Sequence, residues 1–478
     1  MTEPATRPHP TRTLGLLSLA ALAFSLAQTM LIPALGVLGG ELHTSTTGVT
    51  WTLTGYLLAA AVATPMFGRL GDMFGKRRML VISLGIFAAG NLVSGVSGTI
   101  EGVVAGRVLQ GLGGGIFPLC FGIIRDEFPR ERVATGIGSI SAIFGIGGGL
   151  GLVGGGVLID QISYHWIFWI GAILAVAAAV AIEIWVPESP VRRPGRVDWL
   201  GASLLAVGLV LPLLAISNAH QWGWTAGRTI GLIAVGLVVL VIWVAVELRV
   251  TQPLADVRSL ASPTVAGTNL ATVLVGFGMF GSFILIPELV EASKSTGYGF
   301  ALSATGAGLV MLPGALAMIV IGPVSGRMAT RFGAKVPLTL GCLFAALGLG
   351  LLAVAHGSVL EIVLFNGLLN VGIALAYAAM ANAIVEAVPI TQTGEATGFN
   401  TVMRSVGASL GSQVTASILA ADLLAGGRFP ADSAYTTAFA VTAGVALVAA
   451  LAAAVIPRPG REEPQEAAGG DRELQMAA

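Results

Sequence analysis

The chain has 478 residues, of which 55% are hydrophobic and only 10% charged, and its mean hydropathy is +0.86. A soluble protein carries about 25% charged residues, so a string of soluble domains is excluded. The 25 basic and 25 acidic residues cancel, and nothing in the balance argues for a nucleic-acid partner.

Apolar runs of about 20 residues recur along the chain, each long enough to cross about 30 Å of hydrocarbon. Stretches such as "LVVLVIWVAV" do not alternate every second residue, so they read as helices rather than barrel strands. In chain order the expected spans are 14–38, 48–69, 79–98, 101–124, 134–159, 166–187, 199–217, 229–249, 265–287, 301–325, 336–355, 359–386, 394–421 and 433–456, fourteen in all. A tail over 1–13 precedes them, and a polar tail over 457–478, expected to be disordered, follows. "TRPHPTR" before the first apolar run, with "SLA" at Ser25–Ala27, has the outline of a signal peptide. The run continues to about Val37, too long for a signal core, so it is read as an uncleaved first helix.

Lys and Arg orient the spans. With fourteen spans, 20 of the 25 basic residues fall on the side of the N-terminus and three (Arg228, Lys294, Arg428) on the other. Arg107 and Arg404 lie within spans. Both termini are therefore expected in the cytoplasm of a multi-pass protein of the cell inner (plasma) membrane. Four of the five histidines (His43, His165, His220, His356) are scattered over the outer side, and Cys120 and Cys342 lie in apolar runs. Neither set has metal-ligand spacing or forms a disulfide framework, so no metal, cofactor or enzyme activity is expected.

The second span ends in "GRLGDMFGKRRML", Gly68–Leu80, which crowds Arg69, Asp72, Lys76, Arg77 and Arg78 into a short turn. Basic residues that hold a loop at the membrane surface account for Lys76, Arg77 and Arg78. They do not account for Gly68, Leu70, Asp72 and Gly75 in the same register. Asp72 can face a helix N-terminus or a neighbouring Arg. The stretch resembles G-x-L-x-D-x-x-G-[KR]-[KR], the signature of the major facilitator superfamily. "WTLTGYLLAAAVATPMFGRLGD", "YHWIFWI", "VDWLGASLLAVGL" and "TGEATGFNTVMRSVGASLG" resemble the fourteen-helix drug:proton antiporter branch.

The resemblance implies an all-α polytopic membrane protein with the major facilitator fold: two six-helix bundles plus two inserted helices. The damaged copy "GRMATRFGAKVPL" at Gly326 fits that scheme, since it lies eight spans on and parallel repeats are usual in such transporters. The expected division is 14–190 for the first bundle, 191–258 for the linker and inserted pair, and 259–456 for the second bundle. By resemblance, Gly68, Asp72, Gly75, Lys76, Arg77 and Arg78 form a charge latch made and broken as the bundles rock. In the copy, Thr330 replaces Asp72 and Ala334 replaces Lys76, so the second latch should be weak or absent.

Candidate transport residues follow. Arg107, Gln110 and Gly111 match the family pattern R-x-x-Q-G, which implies a role for Arg107 in proton transfer; a snorkelling interfacial Arg is the bland alternative. "GIGGGLGLVGGG" at Gly145–Gly156 contains G-x-G-x-x-G, but inside a membrane span it cannot be a dinucleotide loop. Gly147, Gly151, Gly155 and Gly156 instead form a small-residue seam for close helix approach. Leu152 stands where the branch has Pro. Ala27 in "LAQT" stands where the branch commonly has Asp; Gln28 beside it cannot titrate and is expected to line the substrate cavity.

The remaining span-associated acids include Glu183, Glu247, Glu288, Glu291, Glu361 and Glu386; Glu288 and Glu291 are the candidates for a protonatable site. Arg404 lies about ten residues, roughly 15 Å, inside its span, where an Arg usually faces a cavity. Asn269, Asn366, Asn370, Asn382, Asn400 and Gln413 either line that cavity or join helices. The expected function is proton-driven export of hydrophobic or amphipathic small molecules by alternating access. The alternative is an exporter or facilitator of one endogenous metabolite, not necessarily proton-coupled. The expected partners are a small-molecule substrate, protons and the lipid bilayer.

Overall fold

A bilayer offers no hydrogen-bond partners to the backbone, so each long apolar run must satisfy its own amides, which a helix does. The structure, a computed structural model, describes residues 10–44, 46–190, 198–250, 255–424 and 429–457. Most of the N-terminal tail, the linker arginines Arg192, Arg193 and Arg196, and the tail from 458 onward lie outside the described residues. The helices are α1 (Pro10–Thr29), α2 (Leu35–Glu41), α3 (Thr46–Phe74), α4 (Lys76–Val96), α5 (Ile100–Leu112), α6 (Ile116–Glu127), α7 (Arg130–Gln161), α8 (His165–Trp185), α9 (Trp199–Trp222), α10 (Gly227–Glu247), α11 (Val257–Leu260), α12 (Pro263–Glu291), α13 (Ala304–Phe332), α14 (Lys335–Val354), α15 (Val359–Ala387), α16 (Thr393–Ala421) and α17 (Asp432–Val455). Among the described residues the only β element is an isolated bridge between Leu423 and Pro430.

Two expected spans are each broken into two helices. The first stops at Thr29 and resumes at Leu35. Pro33 lies in the gap and has no N–H to continue the ladder. Tight turns bridge it, Ile32 N–H donating to Thr29 O at 3.1 Å and Ala34 N–H to Leu31 O at 3.0 Å. The fourth span breaks at Gly113–Gly115, between α5 and α6, where consecutive glycines weaken the helix. The freed carbonyls are taken by neighbours: Ser83 Oγ donates to Gly113 O at 2.6 Å and Thr64 Oγ1 to Gly114 O at 3.2 Å.

Among the described residues thirteen spans, with α5 and α6 counted as one, are long and apolar enough to cross a membrane. The fourteenth, α16, has 29 residues but is too polar to join them. It buries Thr393, Glu395, Thr397, Arg404, Ser409 and Thr415 against α3, α9 and α12, so its polar groups face protein rather than lipid. By contrast α10 turns Val235, Leu237, Val238 and Val241 outward, each more than half exposed, as a lipid-bathed helix should.

Helices α1–α8 pack into one bundle and α12–α17 into another. Two lines of contact join them, α7 along α13 and α3 along α16. The α9–α10 hairpin rests its first helix on α3 and α16. An aromatic row crosses the bundle boundary near the centre. Phe24, Phe117, Phe144 and Tyr377 follow one another at ring separations of 5.7, 5.6 and 5.2 Å.

Candidate functional site: a charge latch and a central cavity

The latch grows from one glycine. Gly75 is the single residue between α3 and α4, with φ +107°, a conformation that side chains resist. A Cβ there would also meet the Glu188 carboxylate at 2.6–2.8 Å. Glu188 caps α4 by accepting the amides of Arg77 and Arg78, both at 3.1 Å, a favourable place for negative charge. The Arg77 guanidinium donates to Glu183 O at 3.2 Å and lies 3.6 Å from that residue's carboxylate. Arg77 thus ties α4 to the end of α8 inside one bundle, while Arg78 is exposed.

Asp72 crosses the boundary. It is 1% exposed and accepts the amides of Gly394 at 3.3 Å and Glu395 at 3.1 Å. These N–H groups lie in the first turn of α16 in the other bundle, the positive end of a helix. Lys76, 0% exposed, lies 3.4 Å from Asp72 and 2.7 Å from Asp126. Asp126 also takes a short hydrogen bond from Ser189. Arg69 pairs with Glu395 at 3.6 Å. Arg125 donates to Thr393 Oγ1 at 2.6 Å and to Val388 O at 2.8 Å. Gly68 explains how the helices come so close, since a Cβ there would run into the Gly394 carbonyl. Three cations (Arg69, Lys76, Arg125) and three carboxylates (Asp72, Asp126, Glu395) make one buried network across the boundary. The exit of the inserted hairpin joins it, because Glu395 also accepts the Asp256 amide and Gln392 donates to Asp256 at 3.1 Å.

The copy is built differently. Gly326 again permits a close crossing, here against the Ala134 carbonyl of α7. Thr330, however, is exposed and bonds only its own helix, at Gly326 O, 3.1 Å. Instead of a network, this loop borders a cavity of about 930 Å³ lined by Arg130, Ala134, Thr330, Arg331, Lys335 and Glu386.

The second feature is a cavity of about 20 Å³ at the boundary, lined by Gln28, Tyr56, Phe117, Phe280, Thr401 and Arg404 among others. That is room for about one water molecule. Arg404 is 7% exposed, its guanidinium 4.7 Å over Phe144 and 5.1 Å over Tyr377. Arg107 is 1% exposed and lies 4.3 Å over Tyr56. It donates to Gln110 Oε1 at 2.5 Å, Thr52 O at 3.1 Å and Ala27 O at 3.4 Å. Arg107 therefore grips the backbone of the position where the resemblance leads one to look for a carboxylate.

Of the expected cavity residues, Gln28 and Arg404 line this space. The asparagines pair off elsewhere: Asn400 donates to Asn269 at 2.8 Å, fastening α16 to α12, and Asn370 donates to Asn366 at 2.9 Å within α15. Glu288 and Glu291 are exposed at the end of α12 and do not line the cavity. The glycine seam of α7 has two faces. Gly147, Gly151 and Gly155 pack on Ser25, Thr29 and Met30 of α1 and its end, inside one bundle. Gly156 packs on Thr305, and Gly138, Gly145 and Gly149 also face α13 across the boundary. The sequence reading did not find Asp126, Arg125, Glu395 and Asp256. The "RDE" at Arg125–Glu127 and Glu395 beside the start of α16 were the available signals.

Known proteins bear on this arrangement. The Major Facilitator Superfamily profile matches residues 17–412 and 268–477. The chain is 30% identical over 418 residues to the tetracenomycin C resistance and export protein of Streptomyces glaucescens, covering 87% of this chain and 77% of that one. It is 26% identical over 375 residues to the multidrug transporter protein MdtP of Bacillus subtilis, covering 78% and 68%. It is 30% identical over 412 residues to a uridine/deoxyuridine transporter of Lactococcus lactis, covering 82% and 84%. The crystal structure of the human organic anion transporter MFSD10 superposes with a TM-score of 0.66 at 16% identity, covering 94% of this chain and all of that one. With two helical bundles joined by a buried ion network and a family match over most of its length, the chain belongs to the major facilitator superfamily of membrane transporters.

Proposed function

We propose that this protein is a secondary active exporter of hydrophobic or amphipathic small molecules that works by alternating access in the plasma membrane. In this reading the segments 14–190 and 259–456 move as two bodies, and the latch end faces the cytoplasm with both termini. The observation that carries it is the bond between Asp72 of one bundle and the first turn of α16 in the other. A joint of backbone amides and one carboxylate can part and re-form without disturbing either bundle's own packing. In this reading the made joint closes the latch end below the central cavity. Two relatives, a tetracenomycin C resistance and export protein and a multidrug transporter, support export over uptake.

Proton antiport is the proposed drive. Acids that could carry protons include those of the latch, Glu386 beside the large cavity, and the exposed Glu288 and Glu291. A facilitator that runs down the substrate's own gradient is the second reading, favoured by a central cavity whose lining contains no acid. Purified protein in proteoliposomes with an imposed pH gradient separates them. Substrate-stimulated proton release, collapsing with the gradient, supports antiport. Substrate flux that ignores the gradient supports the facilitator, and no flux of any neutral, cationic or anionic test compound overturns export itself.

A further inference from the structure

One guanidinium, that of Arg404, lines the central cavity, and a second, that of Arg107, stacks on the Tyr56 ring that also lines it. The Arg404 side chain, nine-tenths buried, has aromatic faces for partners, and the Arg107 Nη2 group has no hydrogen-bond partner. Among the described residues neither Arg forms an ion pair, and the cavity lining contains no Asp or Glu. The same lining offers two further buried atoms without partners, Tyr56 OH and Gln28 Oε1. A buried cation left without a counter-charge is unfavourable, and stacking on rings offsets part of that cost.

The stacking is divided between the bundles. Phe144 comes from α7 and Tyr377 from α15, their rings 5.2 Å apart and nearly parallel at 13°. Parting the bundles takes Phe144 away from Arg404 and leaves the guanidinium with Tyr377 alone. What best replaces Phe144 is a ligand that carries both a flat ring and a negative charge.

We infer that the central site takes an aromatic organic anion, a carboxylate or phenolate on a planar ring system, in preference to a lipophilic cation. The inference rests on the export reading, since it assumes that substrate occupies this cavity once the bundles part. The anionic oxygens meet the Arg404 fork, which suits a carboxylate in two-point contact. The ring takes the place of Phe144 against Tyr377. Tyr56 OH donates to the ligand, and Gln28 Oε1 accepts from a ring hydroxyl.

The test uses two dyes that share a xanthene ring and differ in charge: fluorescein, anionic at mildly alkaline pH, and a rhodamine ester, cationic. Binding to purified full-length protein is read by fluorescence anisotropy, with size-exclusion chromatography to confirm folding. Fluorescein should bind at least about tenfold more tightly than the rhodamine. Arg404→Gln should weaken fluorescein by roughly tenfold or more and leave the rhodamine unchanged or tighter, with Arg404→Lys between. Gln28→Glu, which leaves Arg404 in place, should shift the preference toward the rhodamine. Rhodamine binding as tight as fluorescein in the wild type, or fluorescein binding indifferent to Arg404→Gln, overturns the inference. The two readings fail separately. Fluorescein binding that follows these variants, with no dye moved in pH-loaded proteoliposomes, leaves the site assignment standing and removes export. Rhodamine export unaffected by Arg404→Gln does the reverse.

Discussion

The loop after α3 and its copy after α13 share a sequence pattern and make different contacts. Both keep a first glycine at a helix crossing: Gly68 against the Gly394 carbonyl, Gly326 against the Ala134 carbonyl. Both keep a glycine of positive φ at the turn, Gly75 at +107° and Gly333 at +83°. Only the first keeps the acid that reaches a helix N-terminus in the other bundle, and only the first is filled by a buried ion network. Close packing has been retained on both sides of the boundary and charge on one. The difference teaches that contact between bundles and control of that contact are separable. Crossing helices need small residues, whereas a latch needs a carboxylate aimed at free amides.

The sharpest way to break this comparison is Asp72→Asn. The amide keeps the shape but removes the charge that faces Lys76 and the first turn of α16, and losing one partner of a buried ion pair costs about 3–5 kcal/mol. Export should fall at least about tenfold with membrane insertion intact. Export rates normalised to inserted protein provide the check; rates at the wild-type level would mean that the network is only packing.

The two turn glycines form the next pair. Positive φ with an extended ψ, as at both glycines, costs a side chain on the order of 1–3 kcal/mol. At Gly75 an added Cβ also collides with Glu188, whereas at Gly333 nothing lies within 4 Å. Gly75→Ala should therefore cost several-fold in export and Gly333→Ala clearly less. Equal losses would show that backbone strain alone matters and that Glu188 is a bystander.

Gly151→Leu probes packing without the latch. Since Gly151 packs on Thr29 within one bundle, the substitution should lower stability by about 1–3 kcal/mol, read as a drop in thermal midpoint. Rates per folded molecule should change less than with Asp72→Asn. A full block of export at unchanged stability would place this face at the moving boundary instead.

The smallest effect belongs to Thr330→Ala. Its hydroxyl bonds only its own helix, and a solvent-facing hydroxyl is worth within about 0.5 kcal/mol. Export should stay within about twofold. A large loss would reveal a second functional latch in the copy.

Much of the architecture could be read from the sequence, because hydrophobic length and the Lys/Arg skew report directly on spans and their alternation. Breaks inside a span could not. The apolar run continues through Pro33 and through Gly113–Gly115, and hydropathy is blind to backbone hydrogen bonding. The helix α16 was counted among the spans at 394–421, although it is too polar for the length-and-apolarity criterion that the other thirteen meet. At the latch, Asp72 was legible and a helix N-terminus was one expected partner. Which helix was not, because its donors are backbone amides, which leave no side-chain signature, and lie 322 positions away. In the centre, Gln28 and Arg404 border the small cavity, but Asn269 and Asn400, or Asn366 and Asn370, look the same in sequence whether they face a cavity or each other.

The central claim is that the carboxylate of Asp72 holds the two bundles together at the latch end. Phe74 on α3 and Ile390 just before α16 are both exposed there, on opposite sides of the boundary. Spin labels at Phe74→Cys and Ile390→Cys, with buried Cys120 and Cys342 replaced by Ala, allow their separation to be measured by pulsed electron resonance. The account predicts a dominant short distance in otherwise wild-type protein and a shift to longer distances when Asp72→Asn is added. An unchanged distance distribution in the folded variant would contradict it.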